Sequence, residues 1–166
     1  MNRLVFSLIL FCSLLPIAAR NLEFFGVELP GSNIVTMGEA VEKKGFTLSR
    51  QDENQYYYQG VFMNCNTCIV IATTDSYNVN AVYLTTFDID IDTMAGLTNS
   101  TIAKLTEKYP DYRIINTAED QSNSTYFIKG KQWASVTTSI QDRSFVIAYM
   151  LNDDSNDIQQ ASIDDL

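Results

Sequence analysis

The apolar pattern of this chain switches twice from helical spacing to strict alternation, and each switch commits a stretch to one helix followed by four strands. Ile34, Met37, Ala40 and Val41 fall on one helical face, and Gly45 is placed to cap it. The period then becomes two, with strand-like pieces at 47–50, 56–63, 68–74 and 79–87 separated by Asp, Asn and Gly clusters. A second stripe, Leu97, Thr101, Ile102, Leu105 and Tyr109, stops at Pro110, which disfavours helix for the residue before it. Strand-like runs follow at 112–117, 125–129, 132–140 and 145–151. An amphipathic helix of this kind buries its stripe only against another layer, so an α+β fold is expected with the helices on one face of an antiparallel sheet. Ahead of the first helix, Phe24 to Ser32 reads as one apolar strand ended by the Pro30-Gly31 turn. The two halves, about 33–87 and 98–151, align locally: residues 40–46 over 103–109, and 57–60 over 127–130, an expectation of internal repetition.

Residues 1–19 read as a secretory signal peptide: a basic start at Arg3, an apolar run from Leu4 to Phe11, and small residues at Ala18-Ala19. The run is too short to span a bilayer. The expected mature chain starts near Arg20, is secreted or periplasmic, forms one α+β domain over 20–152, and ends in an acidic, disordered tail over 153–166. The whole chain has 20 acidic and 11 basic residues, and losing Arg3 leaves about −10. That balance argues against nucleic acid and anionic membrane surfaces as partners. No second segment is long and apolar enough for membrane insertion of the mature chain.

The chain contains no histidine, which removes the Ser-His-Asp triad, the Cys-His pair, the HExxH zinc site and every imidazole acid or base. Carboxylates, tyrosines, lysines and the two cysteines outside the expected leader remain, leaving a glycosidase-type carboxylate hydrolase or a thiol-redox protein as the enzymatic alternatives. Cys65-Asn66-Thr67-Cys68 has redox spacing, but Ile69-Val70-Ile71 reads as strand, so a structural disulfide across a hairpin turn is expected ahead of a reactive thiol. Asp88, Asp90 and Asp92 begin like a calcium loop, yet Thr93 stands where glycine is needed and Asn99 where glutamate is needed. They are weak metal candidates, better read as solvated residues with Asp92 just before the second helix. No motif implies a cofactor.

Recognition is better served by 131–140. Gln132, Ala134, Val136, Thr138 and Ile140 form the more apolar parity; Lys131, Trp133, Ser135, Thr137 and Ser139 form the other, with the only tryptophan. With helices on the first face, Trp133 stands on the open one, where an amphipathic aromatic anchors protein or sugar contacts. Tyr56 and Tyr58 share a face of their strand and are expected to join it with Tyr83; the alternative packs these aromatics against the N-terminal segment or one another. Asn99 and Asn123 head glycosylation sequons and indicate exposed positions.

The opening Phe25-Gly26-Val27-Glu28-Leu29-Pro30-Gly31-Ser32, a short helix and Lys44-Gly45-Phe46 resemble the start of small, uncharacterised secreted bacterial proteins with an FxGI-x-x-x-G…KGF pattern. The repeated helix-plus-four-strand layout is similar in architecture to the secreted beta-lactamase inhibitor proteins, which implies two tandem units in a two-layer sandwich, with helices on one side of a curved antiparallel sheet. No inhibitor motif carries over residue by residue. The expected function is a non-enzymatic secreted module that binds a protein or glycan through the open face of its sheet.

Overall fold

The computed structural model describes residues 20–119 and 121–152. The leader expected at 1–19 and the tail at 153–166 lie outside them. The chain is α+β. Two short strands, β1 (Glu23–Phe24) and β2 (Val27–Glu28), precede helix α1 (Ile34–Glu42) and strands β3 (Thr47–Gln51), β4 (Gln55–Phe62), β5 (Cys65–Thr73) and β6 (Val79–Thr86). Helix α2 (Ile91–Lys108) then leads into β7 (Arg113–Glu119), β8 (Ser122–Lys129), β9 (Gln132–Ser139) and β10 (Ser144–Leu151).

Three expectations shift. The apolar opening is a hairpin, because Phe25 and Gly26 both take positive φ and fold Phe24 back onto Val27. Met63 and Asn64 make a second such turn, so β5 begins at Cys65 and not at Cys68. Helix α2 begins at Ile91, six residues ahead of its first expected apolar position, because Asp90 caps it through a 2.8 Å bond from the Thr93 N–H. Asp92 therefore sits inside the first turn. Asn33 caps α1 in the same way, accepting from Thr36 at 2.9 Å, and Gly45 (φ +88°) lets the chain leave it.

Strands β3–β10 form one eight-stranded antiparallel sheet in the order β3-β4-β5-β6-β10-β9-β8-β7. Each run of four meanders from an outer edge to the middle, where Val82 faces Tyr149 and Leu84 faces Ile147. Alternation then decides the core. Ile69, Ile71, Val82, Leu84, Phe127, Val136, Phe145 and Ile147 share one face and pack into a single cluster with Met37 and Val41 of α1 and Met94, Leu97 and Leu105 of α2. A fully buried Phe127 or Phe145 contributes about 1.5–3 kcal/mol through lost apolar hydration.

The N-terminal segment joins this side of the sheet. Leu22 and Leu29 are fully buried, Phe24 meets the Tyr149 ring edge-on at 5.5 Å, the Leu22 N–H donates to Gln132 Oε1 (2.8 Å), and the Glu23 N–H donates to the Tyr109 hydroxyl (3.0 Å). Helices and N-terminal segment together close one face of the sheet, and no helix among the described residues covers the other.

Candidate functional site

The register reads out the uncovered face in rows. One row crosses all eight strands as Arg50, Tyr57, Val70, Tyr83, Ala148, Ser135, Tyr126 and Ile115. The next runs Gln55, Ala72, Ala81, Met150, Trp133, Ile128 and Arg113. On the other side lie Gln59, Cys68, Thr85, Val146, Thr137, Ser124 and Thr117. Large side chains stand among Ala, Ser and Thr in these rows, with Met150, Trp133, Ile128 and Arg113 consecutive in the second. The small residues Ala81, Ala148 and Ser135 are buried in their shadow, while Tyr57, Tyr83, Tyr126, Trp133 and Met150 remain half-buried.

Local contacts hold this layer in place. The rings of Trp133 and Tyr126 lie 6.2 Å apart and tilted, and the Tyr83 hydroxyl donates to Met150 Sδ at 3.4 Å. The Ser124 and Thr137 hydroxyls share a 2.9 Å bond. At the far edge, Arg50 lies 4.1 Å over the Tyr57 ring and holds Asp52 at 2.6 Å. Hydrogen bonding to Tyr57 and then to Asp52 keeps its guanidinium pKa above the ordinary value. Trp133 is the exception to this satisfaction: its indole Nε1 is buried with no acceptor among the described residues.

The residues expected at the site divide. Trp133, Ser135 and Tyr83 stand on the uncovered face. Lys131 lies beyond the start of β9, exposed in the turn before it. Tyr56 and Tyr58 do share a face, but it is the helix-covered one: Tyr58 is 4% exposed, and burial, followed by Glu42 and Tyr56, pushes its phenol pKa up. The tyrosine of β4 on the uncovered face is Tyr57, between them. Register also adds Tyr126, Ile128, Met150, Arg50 and Arg113, which single-strand alternation does not connect to Trp133; only cross-strand pairing does.

Cys65 and Cys68 are free thiols in this structure. Three apart within β5, they point to opposite faces, Cys65 against the core and Cys68 beside Gln59 and Thr85. A bond between them requires β5 to break its pairing. Burial raises the Cys68 thiol pKa and the charge of Arg50 lowers it less, the reverse of an activated nucleophile. Asp88, Asp90 and Asp92 do not converge: Asp90 is spent on the α2 cap, and among the described residues no group of three acidic or thiol side chains is placed to hold a metal. The sequon residues Asn99, within α2, and Asn123, on β8, are exposed.

Two open depressions accompany the sheet. One of about 550 Å³ is lined by Glu119, Gln121, Ser122, Ser139, Gln141 and Asp142, with Asp142 Oδ2 accepting from Ser139 at 2.8 Å. The other, about 510 Å³, lies between Arg20, Lys104, Glu107, Lys108 and Pro110. Both are open to solvent. No helix among the described residues is long and apolar enough to cross a membrane. Comparisons with protein-family models, with curated proteins and with solved structures find no match.

Proposed function

We propose that this chain is an exported, non-enzymatic binding module that recognises a protein or glycan through the uncovered face of its sheet. The observation that carries the proposal is the composition of that face. Tyr57, Tyr83, Tyr126, Trp133, Met150 and two arginines stand on it among small hydroxyl residues, and Glu119 is the one carboxylate that the described strands place there. Aromatic, Met and Arg enrichment with acidic depletion is the signature of an interface centre. In a chain of net charge −9 this segregation is a property of the face and not of the composition. The architecture proposed with it is a tandem repeat of the beta-lactamase inhibitor type. It is supported by the shared element order, one helix then four strands meandering inward, in α1–β6 and α2–β10.

The test is affinity capture from the secreted milieu with the purified chain, followed by Trp133→Ala and, as a control on the opposite side, Val35→Ala at an exposed position of α1. Trp133→Ala should weaken capture by tenfold or more, equivalent to about 1.4 kcal/mol or more, while Val35→Ala leaves it unchanged. Its own stability should fall by about 1 kcal/mol or less, since Trp133 is only half-buried and its orphaned N–H is removed with it. Equal capture by all three proteins, or unfolding of Trp133→Ala, removes the proposal.

A further inference from the structure

The outer strands of the sheet are unequal. β3 has five residues, a register break between Leu48 and Arg50, and its only charge already engaged by Asp52 and Tyr57. β7 has seven residues, pairs β8 without interruption from Arg113 to Glu119, and contains no proline. A regular, unblunted edge of that length presents a row of unpaired backbone groups to any strand that matches it. Two side chains define the match. Arg113 lies opposite Ile128 and Glu119 opposite Ser122, so both stand on the uncovered face, and neither has a hydrogen-bond or ion-pair partner among the described residues.

We propose that β7 pairs antiparallel with β7 of a second copy of this chain, about a two-fold axis at Asn116. The strand is self-complementary in that register: Arg113 of each copy falls directly opposite Glu119 of the other, giving two cross-strand ion pairs per dimer. Residues that face each other there are an even number apart along the strand, so outward-turned N–H and C=O groups meet outward-turned groups. On the uncovered side Ile115 meets Thr117. On the helix side the exposed Ile114 meets Ala118, and Asn116, whose Oδ1 already accepts from Thr125 at 2.8 Å, keeps its amide N–H groups for the Asn116 opposite. Moving the axis one residue places Arg113 opposite Thr117 or Glu119 opposite Ile115 and loses both ion pairs, so charge fixes the register. β3 has no carboxylate with which to form an equivalent pair. The dimer joins two uncovered faces into one surface, but it does not depend on what that surface binds.

Sedimentation of the purified chain over a range of concentrations tests this, with circular dichroism to show that every variant is folded. The wild type should show a monomer–dimer equilibrium. Arg113→Glu and Glu119→Arg should each weaken it by about tenfold or more, because each turns two attractive pairs into two repulsive ones. The double variant R113E/E119R should return to within a few-fold of wild type. A monomer at every concentration, a dimer indifferent to the single reversals, or a double variant no better than the singles overturns the proposal.

Discussion

Tyr57 and Tyr58 are neighbours in β4, chemically identical, and belong to different worlds. Tyr58 is closed in under α1, its hydroxyl against Gly38, on a face filled with Ile, Val, Leu and Phe and shut by two helices and the N-terminal segment. Tyr57 faces solvent under Arg50, on a face where aromatics are spaced by Ala, Ser and Thr. Both faces come from the same strands and are comparably rich in large side chains. What separates them is the layer that covers one and not the other, so an aromatic in a strand becomes core or contact surface according to its partner layer and not its own apolarity.

The sharpest way to break that comparison uses adjacent residues of β8. Phe127 is fully buried on the covered face and Tyr126 half-buried on the other. Phe127→Ala should cost about 3–5 kcal/mol in equilibrium denaturation and Tyr126→Ala about 1 kcal/mol; similar losses at both would show that the uncovered face is also core. A smaller effect is expected at the helix–sheet contact. A Cβ at Gly38 would stand 2.6 Å from the Tyr58 hydroxyl. Gly38→Ala should therefore destabilise by about 1–2 kcal/mol, the overpacking outweighing the helix propensity gained. In a Tyr58→Phe background the same substitution should become neutral or stabilising. A cost unchanged by Tyr58→Phe would place the strain elsewhere.

The least effect concerns the cover itself. Hydrogen bonds from Thr93 hold the Asp90 carboxylate below its ordinary pKa. Because the folded-state value lies below the unfolded one, the charge adds stability above the unfolded pKa, near 3.9, and that increment is lost as pH falls through the folded value. Asp90→Asn keeps a capping oxygen without the titration. Wild type and variant should differ slightly near pH 7, where the charged cap favours wild type, and converge on acidification below about pH 4. Thermal midpoints that stay parallel down that range would sever the cap from the stability of the covering helix.

Much of this was legible in the sequence. The order of ten strands and helices beyond the opening, the stripe of α1, the strand positions around Trp133 and the parity that sets Ala134 and Val136 against Trp133 and Ser135 all follow from periods of 3.6 and two. The misplaced boundaries have two causes. Positive φ at Phe25 and Met63 falls on residues that carry no turn signal of their own, and the Asp90 cap starts α2 ahead of its apolar stripe. The turn at Met63-Asn64 moved the start of β5 and with it both cysteines. For Tyr56 and Tyr58 the sequence shows the shared face and not its direction, since alternation says which residues go together but not toward which layer.

Alternation along each strand, the exit of α1 at Gly45, and the absence of histidine were determined by the sequence alone, because they depend on residues within a few positions of one another or on composition. Which face is covered, which aromatics gather around Trp133, and that β7 and not β3 ends the sheet in a clean, charge-matched edge were decided only by the tertiary structure. Those depend on the pairing of β6 with β10, between residues roughly sixty positions apart in the chain, and on the register that the turns impose on the six hairpin pairs, neither of which alternation within one strand can name.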